Sequence, residues 1–375
     1  MRITIDARFF GPFGKGLGRY TQRLIEHLEQ VDDDNDYTIL LRKENFDTYT
    51  PRNIRFQKQY ADCQWYTTKE QVVMPKILKE TRPDLVHFPH FNVPIAYRRP
   101  FVVTIHDLIL LHYPTVKAST LGKVHYWSKY LAYRVVIANA ISRAQYVLAM
   151  SHATKKDVTK KFSIQEEKIG VTYQSWETLL NPKNKKERDD KKICEQYGII
   201  KPYILYVGNA YPHKNLERLI NAFKRTALSK KGVSLVLVGK DDYFYNKLKK
   251  KVREENVESV RFAGMVSDED LPTIYKKALF YVMPSLHEGF GLTPLEAMSM
   301  GTPVTAADHA CTKEILGRSA HYFNGHDTNQ IVYALKMMTA NKHLRGSLVE
   351  KGYANIKRYN WKKMALETKK IYQTI

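Results

Sequence analysis

Ser285-Leu286-His287-Glu288-Gly289-Phe290-Gly291-Leu292-Thr293-Pro294-Leu295-Glu296-Ala297-Met298-Ser299-Met300-Gly301-Thr302-Pro303-Val304 reads as a strand end, a tight turn and a helix in close succession. The strand from Phe280 stops at Pro284, Gly289-Phe290-Gly291 turns the chain and frees backbone N–H groups, and Pro294 suits the first helical turn, where no N–H is needed. The amino end of the helix is therefore left open. Exposed N–H groups and the positive end of the helix dipole make an anion site, suited to a phosphate. Glu288 lies before the turn and Glu296 one turn into the helix, so two carboxylates flank the cradle where sugar hydroxyls can donate to them. A phosphate beside hydroxyls describes a nucleotide sugar.

Outward from this segment, the carboxy-terminal half alternates short apolar runs with helical patterns: Tyr203 to Val207, Ser234 to Val238, Val260 to Gly264, Phe280 to Pro284 and Pro303 to Ala306. The amino-terminal half does the same at Ile3 to Asp6, Tyr37 to Leu41, Leu85 to Phe88, Phe101 to Ile105 and Tyr146 to Met150, with helices such as Gln71 to Glu80 and Leu121 to Ser142 between. Alternation of this kind implies βαβ units and parallel sheets covered on both faces. The expected class is α/β, with two doubly wound Rossmann-like domains facing across a cleft lined by strand carboxyl ends. With 375 residues there is length for both. The first is placed at 1–178, a linker with the charged run Asn181 to Lys192 at 179–202, and the second at 203–358. A final helix at 359–375, with Trp361, Ala365, Thr368 and Ile371 in register, is expected to pack back on the first domain.

Hydrophobic residues at 43% and charged residues at 26% exclude a disordered tail, a collagen and a coiled coil. No apolar run reaches the roughly 18 to 20 residues of a bilayer span, and Met1 to Asp6 reads as a strand rather than a signal peptide. The three cysteines, Cys63, Cys194 and Cys311, lie far apart without C-x-x-C spacing, so neither a disulfide framework nor a zinc site is indicated. A cytoplasmic location is expected. Lys and Arg number 60 against 38 Asp and Glu, a net charge of +22, which points to an anionic partner.

The Glu288 to Glu296 spacing, with Gly-Phe-Gly-Leu inside it and Ala-Met-Ser-Met-Gly-Thr-Pro-Val after it, resembles the E-x7-E signature of the retaining glycosyltransferases of family 4, which have the GT-B fold. The resemblance spans nearly the whole chain. It implies that Glu288 contacts the transferred sugar, that the amides around Gly289, Phe290, Gly291, Leu292 and Thr293 hold the diphosphate, and that Glu296 binds the ribose hydroxyls. In Gly208-Asn209-Ala210-Tyr211-Pro212-His213-Lys214, Lys214 stands at the family's lysine, whose ammonium stabilises the leaving diphosphate. The usual arginine is absent, with Asn209 or a protonated His213 standing where it occurs. Gly14-Lys15-Gly16-Leu17-Gly18 resembles the family's glycine-rich loop, Gly16 included, and His106, at the end of Thr104-Ile105-His106-Asp107, its sugar-contacting histidine. Catalytic roles are thus expected at His106, Lys214 and Glu288.

The resemblance makes the first domain the acceptor-binding one and the second the nucleotide-sugar-binding one, with no cofactor and no metal. Asp268-Glu269-Asp270 matches the D-x-D metal motif of other glycosyltransferases, but it opens a helix, where acidic residues favour the positive end. His87 and His90 lack a carboxylate or cysteine to complete a ligand set. The expected partners are a nucleoside-diphosphate sugar and a glycan or lipid-linked glycan acceptor. Mannosyl- and rhamnosyl-type members that build bacterial surface polysaccharide suggest GDP-mannose.

Between Asp107 and Asp157 there is no acidic residue, and Lys123, Trp127, Tyr130 and Arg134 share a helical face by spacing. Basic and aromatic groups on one face suit an anionic membrane surface on the cytoplasmic side. The charge alone also fits a nucleic-acid-binding protein, though no recognised module is present. The missing arginine also fits an inactive scaffold.

Overall fold

The computed structural model describes residues 1–114, 122–176, 189–257 and 259–375. The chain divides into two compact units, one of Met1–Pro114, 122–174 and Asn360–Ile375, the other Ser175–Tyr359.

In the first unit β1 (Arg2–Asp6), β2 (Asp36–Leu41), β3 (Phe56–Tyr60), β4 (Leu85–Phe88), β5 (Phe101–Ile105), β6 (Tyr146–Ala149) and β7 (Ile169–Val171) form one sheet in the order β3-β2-β1-β4-β5-β6-β7. Every pairing is parallel. The central strands β4 and β5 are buried at every position, as unbroken apolar runs covered on both faces must be. Strand order reverses between β1 and β4, so the loops leaving their carboxyl ends diverge there and open a crevice.

The helix Trp361–Gln373 packs against the helix Lys15–Val31 in this unit. Trp361 and Tyr372 are buried, Tyr372 Oη lies 2.5 Å from His87 Nδ1, and Lys369 reaches Asp34 at 2.7 Å and Asp32 at 3.5 Å.

In the second unit β8 (Tyr203–Val207), β9 (Ser234–Val238), β10 (Val260–Gly264), β11 (Phe280–Met283), β12 (Val304–Ala307) and β13 (Ala320–Phe323) pair in parallel in the order β10-β9-β8-β11-β12-β13. Here the order reverses between β8 and β11. Ile204, Leu235, Leu237 and Val282 of the sheet join Phe223 and Leu335 of the covering helices in one buried cluster.

The α/β, two-domain class expected from the sequence is the one found. Three strands were not expected: β3, β7 and β13. Of the charged run expected in the linker, 181–188 lie outside the described residues, and its last four residues cap and open a helix at Asp190–Gln196, with Asp189 as the N-cap. Asp270 stands at the N-cap of the helix Leu271–Lys277, its carboxylate accepting from Tyr197 and Ser267 at 2.8 Å each.

The expected basic and aromatic face lies on the helix Lys123–Arg143. Trp127 and Arg134 are exposed, and the half-buried Tyr130 packs against the core together with Tyr133 while its ring meets that of Trp127 edge-on at 5.5 Å. The apolar residues that do point outward are Val124, Trp127, Leu131 and Val135. The side chain of Lys123 lies outside the described residues. Among the described residues no helix is long and apolar enough to cross a membrane.

Candidate active site

The switch in strand order places the loops after β8 and β11 side by side. Lys214 ends a 3-10 turn, Pro212–Lys214, on the first loop, and Glu288 lies on the second. Lys214 Nζ donates to Glu288 Oε1 at 2.7 Å, and both side chains are largely buried, 16% and 12% exposed. Burial opposes ionisation of Glu288, but the Lys214 ammonium, by charge and by hydrogen bond, outweighs it and holds the carboxyl at about 2. The Glu288 carboxyl is therefore ionised at neutral pH.

Two contacts stitch these loops together. The Leu286 N–H donates to the His213 carbonyl at 2.8 Å. Asn215, buried, donates from Nδ2 to the carbonyls of Pro284 at 3.1 Å and Gly325 at 2.8 Å. Asn215 was not expected as a site residue. Gly208 follows β8 with φ at +154°, and a Cβ there would meet Tyr206 Oη at 2.7 Å, so a side chain is excluded. Asn209, beside it, is exposed and accepts from the Tyr211 N–H at 3.3 Å.

Past Glu288, Gly289 and Phe290 are buried, and Gly291 is the N-cap of the helix Leu292–Ser299. The amides of Leu292 and Thr293 stand in its first turn and Pro294 contributes none, so the amino end presents donors to an anion. Thr293 Oγ1 is 2.8 Å from Tyr281 Oη. Glu296, 4% exposed, accepts from Tyr275 Oη at 3.1 Å. Burial raises the Tyr281 hydroxyl, and Glu288 and Glu296 both add to the rise. Both carboxylates therefore act on one central tyrosine.

His213 does not stand in for the missing arginine as a cation here. Burial, then the neighbouring Lys214, push it down to about 4. Arg218 is engaged elsewhere, donating to the Gly325 carbonyl at 2.9 Å. His309, not singled out in the sequence, follows β12, its ring parallel to that of His287 at 6.2 Å. Burial lowers it to about 4 against the pull of Glu288, and its Nε2 is buried without a partner among the described residues. The strand-end position that singled out His106 was the available signal for it.

In the first unit, His106 follows β5. Its Nε2–H donates to the Pro89 carbonyl at 2.9 Å, which leaves Nδ1 as the acceptor nitrogen, 3.5 Å from Gln174 Nε2. Burial holds the ring neutral, at about 4. Tyr20 meets it edge-on at 4.8 Å. Gly16 is exposed, with open space where a Cβ would sit; the tight position in its loop is Gly18, whose Cβ would lie 2.1 Å from the Gly11 carbonyl oxygen. The chain's own packing thus requires Gly18 and leaves Gly16 free.

Residues 14–175 match the family described as Glycosyltransferase Family 4, and residues 189–355 that described as Glycosyl transferases group 1. The O-antigen chain mannosyltransferase RfbU of Salmonella typhimurium is 27% identical over 347 residues, covering 89% of this chain and 90% of its own. O-antigen chain mannosyltransferase B of Escherichia coli is 25% identical over 304 residues, 80% of this chain and 76% of its own. Sucrose-phosphate synthase of Thermosynechococcus elongatus superposes with a TM-score of 0.75 at 18% identity, over 100% of this chain and 98% of that one. Anabaena HepE in complex with UDP and glucose gives 0.73 at 18% identity, over 100% of both chains. These last two are likenesses of fold.

Proposed function

Because this chain belongs to glycosyltransferase family 4 and has the GT-B fold, we propose that it moves a sugar from a nucleoside diphosphate to a glycan hydroxyl with retention at the anomeric carbon. The favoured donor is GDP-mannose and the favoured acceptor a lipid-linked or polysaccharide glycan, in line with the two O-antigen mannosyltransferases it resembles. The observation that carries the reading is the buried Lys214–Glu288 pair beside an open helix amino end.

In this reading the donor diphosphate takes the amides of Leu292 and Thr293 and competes with Glu288 for the Lys214 ammonium. Glu288 is then released to accept from a sugar hydroxyl, and Glu296 from the ribose. As the bond from the anomeric carbon to the diphosphate oxygen breaks, both electrons pass to that oxygen, and Lys214 stabilises the charge. The acceptor oxygen bonds to the carbon on the same face, and its proton passes to a donor phosphate oxygen. No strong protein base and no metal are required by this scheme. His106, neutral and with Nδ1 as acceptor, suits a sugar hydroxyl rather than a phosphate.

A cytoplasmic enzyme acting on a lipid-linked glycan works at a membrane surface. The outward Trp127 and Leu131, beside the exposed Arg134 and Lys129, suit the headgroup region of an anionic leaflet. Retention on acidic liposomes at low salt, lost at high salt, tests that location.

The central test is a panel of nucleotide sugars screened for protection against thermal unfolding. The donor should raise the melting temperature, and Glu288→Gln and Lys214→Ala should each lower kcat by about 100-fold or more while folding survives. Protection by no nucleotide sugar, or full activity in Glu288→Gln, overturns the assignment.

A further inference from the structure

At the carboxyl ends of β1, β3 and β4 the first unit carries aromatic rings with no role in the scheme above. Phe9 follows β1, Trp65 and Tyr66 follow β3, and His90 and Phe91 follow β4. Phe9 and Trp65 lie 4.4 Å apart, Tyr66 stacks on Phe91 at 5.7 Å with 19° between planes, and Tyr66 Oη is 3.3 Å from His90 Nδ1. Core packing accounts for Phe9, which is buried, and for one side of Phe91, but not for Tyr66, which is 53% exposed. They border the place where strand order reverses between β1 and β4, where doubly wound sheets take their ligands.

Tyr66 is held there in a conformation that disfavours it. Its φ is +61°, a left-handed value that a residue with a bulky side chain adopts only under constraint. The constraint is a buried charge network. The Tyr66 N–H donates to Glu70 Oε2 at 2.8 Å, while Glu70 Oε1 accepts from Arg8 at 2.6 Å and from Asn92 at 2.7 Å. Arg8 also donates to both Asp6 oxygens at 2.7 Å and to the Cys63 carbonyl at 3.0 Å. The Arg8, Asp6 and Glu70 side chains are at most 2% exposed. Burying such charges is costly, and these ones tie together the three loops that bear the rings.

We infer that Tyr66, backed by Phe91 and flanked by Trp65 and His90, is a stacking platform for a pyranose ring of the acceptor glycan; this rests on the glycosyltransferase reading. A pyranose offers one face of C–H groups, which suits the electron-rich face of an aromatic ring. Its rim of hydroxyls needs donors and acceptors close by. The platform supplies the Tyr66 hydroxyl, the His90 imidazole and the Arg42 guanidinium, which lies 4.9 Å from the centre of the Trp65 ring. Fixed, uncharged stacking surfaces edged by such groups match a neutral sugar.

Saturation-transfer NMR on the full chain tests this, with methyl glycosides of mannose, galactose, rhamnose and N-acetylglucosamine as probes and glycerol as control. Ring protons of at least one glycoside should be saturated, and glycerol should not. Tyr66→Ala should weaken that binding about tenfold, whereas Tyr66→Phe should keep most of it. Tyr66→Gly removes the ring and relieves the left-handed strain, so it should lose the sugar while its melting temperature holds or rises. Binding of GDP and UDP, read in the same samples, should be unchanged in all three variants. No saturation of any glycoside by a protein that binds GDP or UDP, or unchanged saturation in Tyr66→Ala, overturns the platform. Failure to bind either nucleotide instead overturns the glycosyltransferase reading beneath it.

Discussion

Asn215 stands in the left-handed region at φ 60° and holds the Pro284 and Gly325 carbonyls with one amide group. The bond to Pro284 ties the loop that carries Lys214 to the one that carries Glu288, and the bond to Gly325 ties it to the loop after β13. Asn215→Ala takes this donor from the Pro284 carbonyl, leaves the Gly325 carbonyl to Arg218, and puts a residue less tolerant of positive φ at the turn. Urea unfolding should show a loss of about 2–4 kcal/mol, and Asn215→Gly should recover the backbone part but not the hydrogen bonds. Transfer activity should fall in both, because Lys214 loses its fixed approach to Glu288. At this scale Glu288, Glu296 and Lys214 were legible as side chains of the right chemistry at a recognisable spacing. Asn215 and His309 were not, since their importance lies in burial and in partners remote along the chain.

The strands missed in the sequence, β3, β7 and β13, are all sheet edges. An edge strand has one neighbour and is partly wetted, so β3 reads Phe-Gln-Lys-Gln-Tyr with one buried position, and β7 is Ile-Gly-Val. Neither shows the continuous apolar run that marks a strand covered on both faces. The central strands carry that run and were found. Among helices, Trp361–Gln373 depends on packing more than on propensity, with Trp361, Met364, Ala365, Thr368 and Tyr372 buried. Trp361→Ala should cost the first unit about 3–5 kcal/mol in urea unfolding, the range for removing a large buried aromatic. A loss under 1 kcal/mol, on the scale of an exposed substitution, would show that this helix is dispensable.

Across the molecule, burial favours the neutral form of six histidines: His87 and His90 go down to about 3, His106, His213 and His309 to about 4, and His321 is lowered as well. Each lies below the ordinary value near 6.5, so the unfolded chain binds protons that the folded chain refuses. The stability they contribute is complete above about pH 6.5 and is lost as pH falls toward 4 and below. Glu288, held at about 2, adds a contribution present above about 4.5 and lost further down. The melting temperature should therefore begin to fall just below pH 6.5, before ordinary carboxylates titrate. A curve flat to pH 5 would contradict the neutral state of these rings. Replacing His87, which is fully buried, by Gln should flatten the slope.

Contiguous residues determined the alternation of strands and helices, the α/β class and the chemistry on offer at Glu288, Glu296 and Lys214, because periodicity and motif spacing act over a few turns of chain. Only the tertiary structure decided that β8 lies beside β11, and so that Lys214 meets a carboxylate 74 residues away. Strand neighbours are chosen by the burial of whole faces, and that choice belongs to the assembled sheet rather than to any one segment. The same holds for Tyr66: its residue type is written in the chain, but the buried Glu70 that holds its backbone N–H, itself held by Arg8 and Asn92, is in place only when three loops have met.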